Sequence, residues 1–151
     1  VTGSGRGGSP AALQGREHMT TIPSTKIASE AAYKMAGITA KDVDFAEVHD
    51  CFTIAEVVDT EDLGFFGKGQ GIQAIREDRT KLNSDISINP SGGLKSKGHP
   101  IGATGVGQVV EVFEQLTGKS GERTVNDAKI GLTQNFGATG ASCAVHVFES
   151  V

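Results

Sequence analysis

The chain has 151 residues, of which 37% are hydrophobic and 21% charged. This length and composition predict one globular domain with a hydrophobic core, and they exclude a disordered chain. The formal net charge of -4 gives no electrostatic reason to expect a nucleic acid or an anionic membrane as partner. No apolar run is long enough to span a bilayer, and no secretory signal pattern opens the sequence.

The cysteine content predicts a cytoplasmic protein without a disulfide framework. Cys51 and Cys143 are the two cysteines, and their spacing is not that of a metal site. We therefore expect two free thiols in a reducing cytoplasm and no bound metal. Glycine is the compositional outlier, with 21 residues, or about twice its usual share. Tight turns and close backbone contacts are expected.

The first part of the chain predicts a surface loop followed by helix, strand and helix. Residues 1–23 are rich in Gly, Ser, Thr and Pro, which is typical of a loop on the surface. Apolar residues at helical spacing predict an amphipathic helix over 24–37. Alternating Val and Phe predict a strand over 43–48, and residues 53–63 predict a second helix.

The second part begins with a glycine-rich excursion over 64–85, which lacks sustained periodicity. We interpret it as a candidate lid. A short helix is expected within it, around 72–76. An apolar segment over 106–116 predicts the next helix. Two alternating segments joined by a tight turn predict closing strands over 129–135 and 142–149.

The four residues after the first predicted strand, at 49–52, are His-Asp-Cys-Phe. If the backbone stays extended there, His49 and Cys51 project to the same side and can share a pocket. Asp50 or Thr53 is placed to cap the following helix. The alternative for Cys51 is the commonest fate of a free cysteine, a buried and inert side chain.

A single imidazole, His99, lies between Gly98 and Pro100 in the glycine-rich stretch 89–105. Glycine permits close approaches and unusual backbone angles, while proline fixes one torsion and lacks an amide donor. Such a turn can aim a side chain at a ligand. An ordinary loop histidine is the alternative.

The turn between the two closing strands contains Asn135-Phe136-Gly137. Within the last predicted strand, Cys143 and His146 are expected to have structural roles, His146 on the face opposite the apolar residues.

Together and in this order, the three stretches resemble the C-terminal half of the thiolase superfamily over nearly the whole chain. The residues at 49–52 are similar to the variant of sterol-carrier-protein type and archaeal thiolases. Gly98-His99-Pro100 matches the Gly-His-Pro loop, and residues 135–137 stand at the usual Cys-x-Gly loop. The resemblance implies an α/β fold, the C-terminal half of the thiolase fold, with a mixed sheet covered by helices over 1–151. The N-terminal half is absent from this chain.

The resemblance also implies a Claisen-type exchange of acyl groups with coenzyme A, as in acetyl-CoA acetyltransferases. His99 would activate the nucleophile and donate to the enolate oxygen, which His49 would also bind. Cys51 would move the α-proton, because Asn135 stands where other thiolases carry that cysteine, and an amide cannot transfer protons. The backbone amide of Gly137 would serve the second oxyanion hole. The expected substrate contacts are Gly98, Pro100 and Asn135.

In this family the acyl-accepting cysteine belongs to the N-terminal half, so the chain alone is predicted to be inactive. The implied partners are an acyl-CoA or coenzyme A, the N-terminal half, further copies of the full enzyme and a hydroxymethylglutaryl-CoA synthase. No cofactor is implied. Two alternatives remain: a thiolase-like retro-aldolase of steroid side chains, and a non-catalytic module that binds lipid or acyl-CoA. The set of His49, Cys51 and His99 favours the Claisen enzyme.

Overall fold

A computed structural model describes residues 1–150. They form a five-stranded mixed sheet in the order β1-β5-β4-β2-β3, in which β1, β5 and β4 are antiparallel and β4, β2 and β3 are parallel. The strands are β1 Gly3–Gly8, β2 Phe45–Glu47, β3 Ser87–Ile88, β4 Ile130–Gly137 and β5 Ser142–Glu149. The helices are α1 Pro23–Ala36, α2 Thr53–Asp62, α3 Gly71–Arg76, α4 Gly93–Lys97 and α5 Thr104–Leu116. The predicted α/β class with a mixed sheet is confirmed.

Helices cover the sheet on both faces. Ala28 and Ala32 of α1 are fully buried in the main core cluster, which α2 joins through Ala55 and Val58. On the opposite face, Val112 of α5 belongs to a smaller cluster with Phe45 and Val125. The spacing of apolar residues located the three helices, although they bury different side chains. α1 buries small ones, whereas α5 buries Gln108, Glu111 and Gln115 beside Val112.

The structure contradicts the surface loop predicted at the start of the chain, because residues 3–8 form β1 on the edge of the sheet beside β5. Gly3, Gly5 and Gly7 are the residues of β1 that face α1. A Cβ built on any of them would overlap a carbonyl oxygen of α1. The helix lies directly on the strand backbone, an approach that only glycine allows. A strand whose inward residues are glycines carries no hydrophobic alternation, and for that reason the sequence pattern missed it.

The excursion over 64–85 contains α3, which confirms the short helix predicted there. α3 packs against α2. The guanidinium of Arg79 lies 5.2 Å from the centre of the Phe66 ring and its Nε lies 2.7 Å from Asp85 Oδ2. These contacts tie the segment to its own ends, and a lid role for it stays a prediction.

Among the helices of the described residues, none combines the length and the apolar character that crossing a membrane requires.

Candidate active site

The two histidines predicted for the site lie side by side. His49 follows directly after β2, and His99 lies in the connection between α4 and α5. Their ring centroids are 4.9 Å apart, with the rings nearly perpendicular at 86°. The His49 ring also packs against Phe136 of β4, at 4.4 Å between centroids. Because β2 and β4 are parallel neighbours, their carboxyl ends bring these residues to one edge of the sheet.

His49 is buried, and a hydrogen bond of its backbone N–H fixes its position. Its N–H donates to Gln134 Oε1 at 2.9 Å, which ties the loop after β2 to β4. Burial lowers the pKa of His49 to about 4, and the charge of His99 acts in the same direction, while Asp50 and Asn135 oppose the shift. The imidazole is therefore neutral at pH 7. A neutral ring carries one hydrogen, so it can donate to one oxygen without bringing a charge into the site.

His99 is exposed, and its Nδ1 lies 2.7 Å from the hydroxyl oxygen of Thr104. That hydroxyl donates its own hydrogen to the Pro100 carbonyl at 3.3 Å. When the hydroxyl makes that bond, Thr104 Oγ1 accepts from the Nδ1–H of His99 and the lone pair of Nε2 is free. The arrangement suits a general base. Thr104 was missed by the sequence analysis, although it lies in the Gly-Ala-Thr-Gly run that follows the Gly-His-Pro turn.

The segment that carries His99 is anchored by two buried carboxylates on either side of His49. Glu47 accepts from both the backbone N–H and the hydroxyl of Ser91, at 3.0 and 2.7 Å. Asp50 accepts from the backbone N–H groups of Leu94 and Lys95, at 2.7 and 3.3 Å. Bonds from backbone amides to an ionised carboxylate are among the stronger hydrogen bonds in proteins. The two histidines are therefore held together by the side chains that flank His49 in sequence.

Asp50 does not cap α2, as the sequence suggested, and neither does Thr53. The N-cap of α2 is Phe52, without a side-chain hydrogen bond. The Asp50 carboxylate turns instead to the first turn of α4, where it lies so close to Gly93 that a Cβ there would overlap it. The position of Asp50 just before α2 favoured a role as the cap of that helix. In the folded chain it instead accepts a hydrogen bond from a segment more than forty residues away.

Cys51 is half-buried and packs against the core cluster under α1 and α2. Burial is the main cause that raises the pKa of its thiol, and the nearby Asp59 and Asp50 carboxylates add to it, while the Phe52 backbone opposes. The thiol is therefore protonated at neutral pH. Two statements about Cys51 stay predictions: that it carries a proton in the reaction, and that it shares a pocket with His49.

Cys143 is the second free thiol. It is buried beneath α1, where Thr25 Oγ1 and Gln134 Nε2 lie 3.6 and 3.7 Å from its sulfur. Burial raises its pKa to about 11. These contacts agree with the structural role expected from the sequence.

A cavity of about 670 Å³ opens over the sheet beside α5. Two of the predicted site residues, Asn135 and Gly137, line it, whereas within residues 1–150 neither imidazole of the pair does. His146 also lines the cavity, because its side chain is on the face of β5 opposite Val145 and Val147. The wall of the cavity also includes polar and apolar side chains, among them Arg6, Ile101 and Val109.

The arrangement defines a class of site: two imidazoles, of which His49 is neutral, packed against each other where parallel strands of a mixed sheet end. A family model described as "Thiolase C-terminal domain-like" matches residues 5–150, and the chain belongs to this thiolase C-terminal domain-like family. The resemblance inferred from the three sequence stretches is confirmed.

Curated relatives agree with this assignment. The chain is 47% identical over 149 residues to an acetyl-CoA acetyltransferase of Methanothermobacter thermautotrophicus, covering 99% of this chain and 39% of the relative. It is 42% identical over 146 residues to the corresponding protein of Methanocaldococcus jannaschii, covering 91% of this chain and 36% of that one. Human sterol carrier protein 2 is 42% identical over 123 residues, covering 82% and 22%. The chain thus spans well under half the length of these relatives.

A solved structure, the Ltp2-ChsH2(DUF35) aldolase, shares the fold with a TM-score of 0.83. The alignment covers 98% of this chain and 38% of that one, at 19% sequence identity. This likeness supports the thiolase-type architecture.

Proposed function

We propose that the chain supplies the acid–base half of an acetyl-CoA C-acetyltransferase, which makes or cleaves 3-ketoacyl-CoA, with acetoacetyl-CoA as the expected substrate. The observation that carries the proposal is the pair formed by His49 and His99, 4.9 Å apart between ring centroids, in which the His49 ring is neutral at pH 7. Within the described residues, the one hydrogen bond of the His99 ring is made by Nδ1, to Thr104. A binding module needs no such pair of proton-transfer groups, whereas an acyl transfer through an enolate does.

In the proposed reaction, Nε2 of His99 takes the proton of a cysteine thiol, which then attacks the acyl-CoA carbonyl and expels coenzyme A. The leaving coenzyme A thiolate takes the proton of the Cys51 thiol, and the Cys51 thiolate formed in this way removes the α-proton of a second acyl-CoA. The N–H groups of His49 and protonated His99 donate to the enolate oxygen that forms. The enolate carbon attacks the acyl-cysteine carbonyl, whose oxyanion accepts from the Gly137 N–H, and the cysteine leaves as the thiolate. Coenzyme A thioesters are substrates here, and no cofactor takes part.

The nucleophilic cysteine would come from the N-terminal half of the enzyme. The archaeal relatives extend well beyond the matched region, since the chain spans 39% and 36% of them. The helix α5 offers a surface for that half, because it exposes Val106, Val110 and Phe113 while it buries Gln108 and Glu111. An apolar outer face on a helix with a polar inner face is typical of an interface. We therefore expect the chain alone to lack thiolase turnover.

The test is the exchange of the α-protons of acetyl-CoA with deuterium from the solvent, in the complete enzyme. Cys51→Ala should slow exchange by about 10²- to 10⁴-fold, the range expected for loss of a general acid or base. Cys143→Ala is the matched control, because this second thiol is buried beneath α1, and exchange should continue. Exchange that survives in Cys51→Ala at the wild-type rate would contradict the proposed role.

A second candidate is a thiolase-like aldolase that cleaves carbon–carbon bonds without an acyl-cysteine. The fold shared with the Ltp2-ChsH2(DUF35) aldolase, at a TM-score of 0.83, supports the aldolase as the second candidate. Mass spectrometry of the complete enzyme after incubation with acetoacetyl-CoA separates the two. An acetylated enzyme supports the Claisen reaction, and an unmodified enzyme that cleaves a steroid side chain supports the aldolase. A non-catalytic acyl-CoA-binding module would bind acetoacetyl-CoA and leave it intact.

The family resemblance further suggests a cytoplasmic homo-oligomer of the full enzyme, with a hydroxymethylglutaryl-CoA synthase as an additional partner. Size-exclusion chromatography with light scattering of the complete enzyme, with and without the synthase, tests both points. A complete enzyme that is a monomer and does not bind the synthase would contradict both points.

A further inference from the structure

Two side-chain amides hold the backbone of Val48 and His49, directly after β2. The N–H of Val48 donates to Asn89 Oδ1 at 2.8 Å, and the N–H of His49 donates to Gln134 Oε1 at 2.9 Å. A backbone N–H can only donate, so each amide must turn its oxygen toward this backbone and its NH₂ group away from it. The orientation of both amides is therefore determined by the groups that they face.

A carboxyl group of α2 receives the NH₂ group of each amide. Gln134 Nε2 donates to Asp59 Oδ1 at 2.8 Å, and Asn89 Nδ2 donates to Glu56 Oε2 at 3.2 Å. Glu56 and Asp59 are three residues apart in α2, so they lie on the same face of the helix, about one turn from each other. Two series of hydrogen bonds thus join α2 to the backbone of His49, and each runs from a carboxyl group through an amide to an N–H.

Burial makes these contacts costly to lose. Asp59 and Gln134 are fully buried, and Asn89 is buried as well. The second hydrogen of Gln134 Nε2 goes to Thr25 Oγ1 at 3.1 Å. An amide deprived of its carboxyl acceptor would keep an unpaired donor in the interior of the chain, which is unfavourable. The amide would then turn toward another acceptor, and its oxygen would leave the N–H that it now holds.

The position of the His49 backbone determines where the His49 ring lies. The ring packs nearly perpendicular to that of His99, at 4.9 Å between centroids, and against Phe136 at 4.4 Å. The bond to Gln134 is made by the N–H of the same residue, next to the Cα that carries the ring. A change in the Gln134 amide therefore moves the ring relative to both neighbours.

We infer that Asp59 and Glu56 are positioning residues for His49, because each holds an amide whose oxygen fixes the backbone that carries this ring. The inference rests on the proposed function, in which His49 donates a hydrogen to the enolate oxygen. Both carboxyl groups act through the amides and not on the substrate. A catalytic group displaced by about 1 Å can lose about 10²-fold in rate.

The test uses the complete enzyme and two matched pairs of variants. Asp59→Leu and Glu56→Leu remove the acceptor of an amide, whereas Asp59→Asn and Glu56→Gln retain an oxygen that can accept from it. In the Leu variants, kcat for the Claisen reaction should fall by up to about 10²-fold, with KM unchanged. The Asn and Gln variants should recover most of the lost rate.

A second measurement reads the position of the His49 ring without turnover. In ¹H–¹³C spectra of the enzyme with labelled histidine, the ring currents of Phe136 and His99 shift the His49 signal, which is assigned from its loss in His49→Asn. Gln134→Met leaves the His49 N–H without its acceptor and gives the signal of a displaced ring. Asp59→Leu and Glu56→Leu should move the signal toward that position, and Asp59→Asn and Glu56→Gln should not.

A buried glutamine elsewhere in the chain provides the control for packing. The Gln115 amide serves Arg123, Ser120 and Val125, outside the site. Gln115→Leu should lower the free energy of unfolding and leave both the His49 signal and kcat as in the wild type.

If Asp59→Leu fails to fold, Glu56→Leu decides, because Glu56 is only half-buried. The inference is overturned if the His49 signal stays at its wild-type position in every Leu variant of α2 that folds, or if it moves while kcat is unchanged. It is also overturned if the Asn and Gln variants lose as much rate as the Leu variants, or if Gln115→Leu shifts the signal equally. An enzyme without Claisen activity whose His49 signal still responds to Asp59 and Glu56 would overturn the proposed function and leave the positioning role standing.

Discussion

The two faces of the sheet are built in opposite ways. On the face under α1, helix and strand backbone touch at Gly3, Gly5 and Gly7, and the helix residues facing them are fully buried: Ala32, Ala28 and Ser24. On the other face, α5 leaves a cavity of about 670 Å³ and exposes Val106, with 65% of its surface accessible. The closed face provides the packing that stabilises the fold. The open face presents the site and a surface for another part of the enzyme.

The polar groups differ between the faces as well. Beneath α1, the buried Asp59 accepts hydrogen bonds from Thr25 and Gln134 and serves the interior of this chain. Beneath α5, Gln108 reaches backbone carbonyls of two strands and then the site amide of Asn135. Substitutions on the closed face should therefore change the free energy of unfolding, and those on the outer side of the open face should not.

The strongest effect is expected from Gly5→Ala on the closed face. The new Cβ would overlap the Ala28 carbonyl oxygen, so α1 must move away from β1. We expect a loss of about 3 kcal/mol in the free energy of unfolding, at the upper end for overpacking, measured by urea denaturation. Gly8→Ala is the control, because its Cβ would lie 3.9 Å from Ala141 O, an ordinary contact. Equal effects of the two substitutions would show that the close contact is not what makes glycine necessary.

A matched pair on α5 separates its inner from its outer side. Val112 is fully buried, and Val112→Thr places a hydroxyl in an apolar cluster, at an expected cost of about 2 kcal/mol. Val106→Thr makes the same change on the exposed side and should alter the free energy of unfolding of this chain by less than about 0.5 kcal/mol. Thermal denaturation of both variants measures the difference. A large loss from Val106→Thr would mean that the outer side already packs within the chain.

A smaller effect, seen through pH, is expected from Asp59→Asn. Burial is the main cause that raises the pKa of Asp59 well above its usual value. The folded chain therefore keeps a proton that the unfolded chain has lost, and stability falls as pH rises from about 4 through the folded pKa, by up to about 1.4 kcal/mol per pH unit. Asparagine retains an oxygen for Thr25 and Gln134, so this part of the pH dependence should disappear. Urea titrations across that range measure it, and parallel curves for the two proteins would contradict the assignment.

Motifs and periodicity predicted much of this molecule. The helices α1, α2 and α5 and the strands β2, β4 and β5 were predicted from the spacing of apolar residues, although α1 buries small side chains and α5 mostly polar ones. His49 and His99 were predicted from their loops, since a histidine within such a turn is recognisable along the sequence. Their approach to 4.9 Å depends on Glu47 and Asp50, whose contacts lie more than forty residues away. Spacing along the chain does not reveal contacts of that range.

The residues that the sequence analysis missed share a physical reason. β1 buries glycines, so its inward face has no hydrophobic signal. Gln108 and Gln134 are fully buried amides, yet glutamine is a residue type that is usually exposed. Their burial is possible because each amide finds backbone or side-chain partners. Such partners become visible once the strands are placed side by side.

The pairing of β1 with β5 has a consequence for how the chain folds. Gly3 lies opposite Val147, so this strand pair closes across nearly all the described residues. Closing so long a loop costs conformational entropy, which contacts between residues close in sequence do not offset. Sheets built on long-range strand pairs therefore form slowly. During synthesis on the ribosome, β1 precedes the other strands of this sheet, and it has no strand partner until β5 follows. The α1 helix packs on both β1 and β5, so the part of its surface that contacts β5 is uncovered until β5 has been translated.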